Sequence, residues 1–152
     1  MKILIVTLFA LLNFNNPNSI HESISATFNV IERGHVLMLE IDFDDENFIK
    51  FAESKSLHIS KEDFSKYLLK TTSWIIDGKE LIPKILDIES GEHHTKAICF
   101  LSKKIENIKS VQVKNEFLLN VESHSNIIML DINNTFKDYR LYKERREIKV
   151  DY

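Results

Sequence analysis

Ile24-Ser25-Ala26-Thr27-Phe28-Asn29-Val30 and, across a short gap, Leu37-Met38-Leu39-Glu40-Ile41-Asp42-Phe43 decide how this chain folds. Apolar side chains recur at every second position: Ile24, Ala26, Phe28 and Val30, then Leu37, Leu39, Ile41 and Phe43. Period two sends alternate side chains to opposite faces of a strand, so each run has one face for a core and one for solvent. Between them stands Glu32-Arg33-Gly34-His35, where glycine suits a chain reversal. The two stretches are expected to form a half-buried antiparallel pair.

The same punctuation continues. The chain has three glycines, and the other two, Gly78 after Asp77 and Gly91 in Ser90-Gly91-Glu92, also fall between apolar runs. All three read as reversals at positive φ, not as a loop cradling a phosphate. Asp77-Gly78 is a favoured two-residue hairpin turn and would join Trp74-Ile75-Ile76 to Lys79-Glu80-Leu81-Ile82. Further strands are expected over 82–88, where Pro83 favours an edge or irregular start, and over 95–101, 108–113, 126–132 and 137–142. About seven or eight short strands with little helix predict a mainly β, antiparallel β-sandwich.

Residues 44–70 depart from this pattern and take helical spacing. Asp44 or Asp45 is placed to cap a short helix carrying Phe48, Ile49, Phe51 and Ala52. Ser60 followed by Asp63 imitates a capping box, ahead of a face bearing Phe64, Tyr67 and Leu68. A two-helix insertion after the second strand is therefore expected, closing one end of the sandwich.

Ahead of the first strand, Lys2 is followed by an apolar run from Ile3 to Phe14 and a polar exit, Asn15-Asn16-Pro17-Asn18-Ser19. That is the layout of a secretory signal peptide over 1–19, too short and interrupted for a membrane span. Its removal leaves 20–152 as a single β-sandwich domain, exported to the periplasm or secreted, with no membrane span. Only Lys2 among the charged residues leaves with it, so the remainder has 19 basic against 23 acidic residues and a net charge of −4. Such a balance argues against a nucleic-acid partner. Cys99 is the single cysteine, so no internal disulfide is possible, and its place in an alternating apolar run predicts a buried, inert thiol.

Chemistry is harder to find. Of the six histidines, His93 and His94 are adjacent in a predicted strand start and would face opposite ways, while His21, His35, His58 and His124 lack the spacing of a zinc site. Asp42, Asp44, Asp45 and Glu46 lack the glycine and distal glutamate of a calcium loop and suit a helix start. There is no G-x-S-x-G, so no catalytic residue and no cofactor is assigned. Lys143-Glu144-Arg145-Arg146-Glu147 reads as a solvated strand edge.

Several residues together carry a family resemblance: the N-terminal signal, His21 and Ser25 at the first strand, and Phe43-Asp44-Asp45 before the helices. The Asp77-Gly78 turn, Leu118-Leu119 and His124-Ser125-Asn126-Ile127 complete the set. On these the chain resembles the small exported proteins of domain of unknown function family 6702, found mainly in Bacteroidota. The resemblance implies a bacterial envelope location and an immunoglobulin-like sandwich, and it implies no catalytic residue. The expected function is a non-enzymatic binding or interaction module for an envelope protein or small ligand, acting through the helical insertion and adjacent loops. Exposed Phe or Trp there would support it. The alternative is a metal-handling accessory domain using His21, His93, His94 or His124 with nearby carboxylates.

Overall fold

A computed structural model describes residues 24–51 and 59–152. The expected signal segment, together with His21 and His58, lies outside the described residues. The order of elements is β1 Ser25–Arg33, β2 Val36–Asp44, α1 Asp45–Phe51, α2 Lys61–Thr71, β3 Thr72–Ile76, β4 Lys79–Leu81 and β5 Lys84–Ser90. β6 His94–Lys103, β7 Ser110–Asn115, β8 Ser125–Ile132, β9 Thr135–Leu141 and β10 Glu147–Asp151 follow.

These strands form two sheets, one of six strands in the order β5-β6-β2-β1-β8-β9 and one of four in the order β10-β7-β3-β4. The alternation seen in the sequence is the alternation of burial: Ala26, Phe28, Val30, Leu37, Leu39, Ile41 and Phe43 are all fully buried. The inner faces meet where Phe28 of β1 lies 6.2 Å, ring to ring, from Trp74 of β3. The result is a mainly β, two-layer sandwich.

The expectation of a wholly antiparallel body is corrected at the centre of the larger sheet. β1 pairs antiparallel with β2 but parallel with β8, from Ser25 opposite Ser125 to Ile31 opposite Asp131. Ten strands are present among the described residues; nine fall on the expected runs, and β10 escaped the sequence reading. The 82–88 run is split at Pro83, which is buried at the point where the chain leaves β4 on the edge of one sheet and enters β5 on the edge of the other. In the charged run 143–147, residues 143 and 144 are a turn closed by a bridge between Tyr142 and Arg145, and Glu147 opens β10, with Ile148 and Val150 turned inward.

The turns follow their backbone requirements. Gly34 sits at φ +60°, and Asp77-Gly78 at φ 49° and 76°, the signs that a tight hairpin of right-handed strands demands. Asn133-Asn134, at φ 54° and 56°, makes the same kind of turn between β8 and β9 without glycine. Gly91 is a reversal for another reason: its φ is not positive, its N–H donates to His94 O at 2.7 Å, and a Cβ there would stand 3.1 Å from that oxygen.

Both helices begin as expected. Asp44 Oδ1 accepts the Asn47 N–H at 2.8 Å, and Ser60 Oγ accepts the Asp63 N–H at 3.1 Å while donating to Asp63 Oδ2 at 2.8 Å. Phe48 of α1 and Phe64 of α2 then pack against Phe43 of β2 at 5.2 and 5.1 Å between ring centres, closing one end of the core. Phe117, in the loop after β7, completes this cluster against Phe28, Phe43, Phe48, Phe64 and Tyr67.

The free edge of β5 is also managed. Its register with β6 shifts between Ile85 and Asp87, and Lys61, the first residue of α2, donates from Nζ to Leu86 O at 2.7 Å. A bulge and a lysine on an edge both discourage pairing with another chain.

Candidate functional site

Among the described side chains, the helical insertion presents no exposed Phe or Trp. Phe48 and Phe64 are core residues, Trp74 is buried, and Phe136, the exposed phenylalanine, lies away on β9. Nor do the predicted ligands gather. His94 Nδ1 stands 3.5 Å from Asp42 Oδ1, both exposed, while His35 occupies a turn and the His93 carbonyl accepts from the Asp45 N–H. Asp44 is engaged as a cap. No group of three or more potential metal ligands occurs among the described residues.

His124 behaves differently. It precedes β8, is only 5% exposed, and belongs to a buried polar chain whose hydrogens can be placed one after another. The Phe117 N–H donates to Asn115 Oδ1 at 2.9 Å, and a backbone N–H is only a donor, so the side-chain oxygen of Asn115 is fixed. Asn126 Nδ2 donates to that oxygen at 2.9 Å and to Phe117 O at 2.9 Å. Its Oδ1 therefore faces His124 Nε2, 3.1 Å away, and that nitrogen carries the hydrogen.

His124 Nδ1 is then the lone-pair nitrogen. It is buried and has no partner, and neither has Asn115 Nδ2 at the far end of the chain nor Ser125 Oγ on the next residue, the first of β8. Buried polar atoms are nearly always paired, so an orphan at each end of one hydrogen-bond chain singles it out. Burial pushes the His124 pKa down, against the Asn126 hydrogen bond and the charge of Asp44, and so favours the neutral ring, in which a hydrogen on Nε2 leaves the lone pair on Nδ1.

His124 and Ser125 line a cleft of about 600 Å³ between the loop after β7 and the turn from β9 to β10. Arg140, Tyr142, Lys143 and Glu144 form the opposite wall. Ser125 shares a face of β8 with Ile127, and Arg140 is the register partner of Ile127, so Ser125 and Arg140 lie on the same side of the sheet. A neighbouring concavity of about 570 Å³ shares Leu119, Asn120 and Lys143 with this cleft and extends it toward α2.

The walls are pinned from both sides. Tyr67 Oη of α2 accepts the Leu118 N–H at 3.2 Å, and Arg146 joins Glu116 at 2.7 Å while its carbonyl accepts the Asn115 N–H at 2.8 Å. Arg146, with Lys114 at 3.2 Å, holds the Glu116 carboxyl below its ordinary pKa range. Between these supports, Leu118 and Ser123 take φ of 51° and 61°. A bulky leucine in that region is a true outlier, and such strain collects at ligand sites.

Cys99 is a core residue of β6 with its thiol pushed up to about 12 by burial, as the apolar run predicted. Sequence reasoning placed His124 among the scattered histidines and missed its partners. The available signal was Asn126, which shares the inward register of Ile128 and Leu130 and so had to find buried hydrogen bonds.

No family model and no curated protein matches this chain. Among the described residues, no helix is long and apolar enough to cross a membrane.

Proposed function

We propose that this protein is an exported, non-enzymatic β-sandwich binding module that takes a small ligand, or a short segment of an envelope partner, in the cleft beside His124. The observation that carries the reading is that two residues lining a cleft of ligand size, His124 and Ser125, each hold a buried polar atom without a partner. Export rests on the charged, apolar and polar order of residues 1–19. The two facing sheets support an immunoglobulin-like arrangement as the resemblance implies, with β1 and β8 as its parallel pair. Among the described residues, no cluster of ligands favours the metal-handling alternative.

An amide-resolved NMR screen of the full chain against small polar fragments tests the proposal. Shifts should cluster at residues 119–125 and 140–144. Fragment responses scattered evenly over the surface, or absent, would reject it.

A further inference from the structure

We infer that the cleft selects a neutral, hydroxyl-rich ligand, namely a saccharide unit; this rests on the cleft being the binding site. Charge decides first against ions. Arg140 and Lys143 are matched by Glu122 and Glu144 among the lining residues, and none of the four is held in an ion pair. A lining with two charges of each sign gives no net attraction to an anion or a cation.

Hydrogen-bonding capacity decides against an apolar ligand. The guanidinium of Arg140 donates through a planar fork, and the carboxylates of Glu122 and Glu144 each accept through two oxygens. Paired donors and acceptors of that shape suit neighbouring hydroxyls, each of which both donates and accepts. Ser125 Oγ, in a residue only 5% exposed, lacks the partner that a buried hydroxyl requires. His124 Nδ1 likewise needs a donor, and a ligand hydroxyl is one.

The remaining element is aromatic. Tyr142 lines the cleft and stays 42% exposed, offering a flat apolar ring with a polar tip at the rim. One face of a pyranose presents C–H groups to such a ring while its edge hydroxyls reach the charged walls. Ser125 Oγ and His124 Nδ1 are buried atoms of residues that line the cleft, so full engagement requires the segment between Leu118 and Ser123 to yield. Its two left-handed residues store strain that such movement releases.

The test is an NMR titration of the full chain with glucose, galactose, mannose, N-acetylglucosamine, cellobiose and lactose. At least one sugar should shift the amides of Ser125, Arg140 and Tyr142, with Kd on the order of 1 mM. Tyr142→Ala should weaken that binding at least about tenfold, whereas Tyr142→Phe should retain it, since the face and not the hydroxyl is used. If calcium, inorganic phosphate or acetyl-glycine amide shifts these residues and no sugar does, the saccharide inference fails and the cleft survives as a site. If no probe of any class shifts them, both fail.

Discussion

Asn126 Nδ2 donates to Asn115 Oδ1 at 2.9 Å, and both residues are fully buried. Asn126 belongs to β8 in the six-stranded sheet and Asn115 to β7 in the four-stranded sheet, so this amide bond ties one layer to the other. It also orients everything downstream: the Asn126 oxygen sets the His124 tautomer, and the tautomer leaves Nδ1 with its lone pair free.

Removing the link should be expensive. Asn126→Ala takes one of its two donors from Asn115 Oδ1, leaves Phe117 O and His124 Nε2 without the Asn126 amide, and is expected to lose about 2–4 kcal/mol. Urea unfolding of the variant checks this, and a midpoint unchanged from wild type would show that the polar chain does not hold the layers together.

His124 makes stability depend on pH. Its folded pKa is lowered from 6.5, chiefly by burial, so near pH 6 the unfolded chain binds more protons than the folded one. The stabilisation is complete above about 6.5 and declines as pH falls from there toward the lowered folded value. His124→Gln keeps an N–H for Asn126 and removes the titration. Between pH 8 and 5, wild type should therefore lose stability more steeply than the variant; parallel curves would contradict the assignment.

Phe117 touches the rings of five aromatic residues and is fully buried. Phe117→Ala should destabilise by about 3–5 kcal/mol through the cavity it opens. Thermal unfolding measures it, and because Phe117 also anchors the loop that walls the cleft, amide exchange over 118–124 should quicken in the same variant.

Asp77 does more than occupy a turn. Its Oδ1 accepts the N–H groups of Lys109 and Ser110, each at 2.8 Å, fastening the β3–β4 hairpin to the start of β7. Asp77→Ala should lose about 1–2 kcal/mol, whereas Asp77→Asn keeps an acceptor and the left-handed backbone and should lose less. Equal losses in the two variants, measured by urea titration, would mean that the side-chain oxygen is not what matters.

How much of this was legible follows from range along the chain. The alternation of Ala26, Phe28 and Val30, the Asp77-Gly78 turn and the Ser60 cap each depend on near neighbours, and each is visible in the residues themselves. The pairing of β1 with β8 is a choice among strands that look alike, so no local pattern announces it. β10 was hidden because the charged run before it drew the strand to the wrong place, although Ile148 and Val150 alternate plainly. The site was least legible, since Asn115 and Asn126 meet only when the two layers are assembled.

The position of β1 between β2 and β8 has a consequence for biogenesis. Ser25 finds its register partner at Ser125, so the middle of the larger sheet stays open until a strand about one hundred residues further along the chain has been made. Closing so long a loop comes before the contacts that reward it, which makes acquisition of the native state slow. Until β8 zips into place, the chain presents a bare strand edge on which another chain could pair.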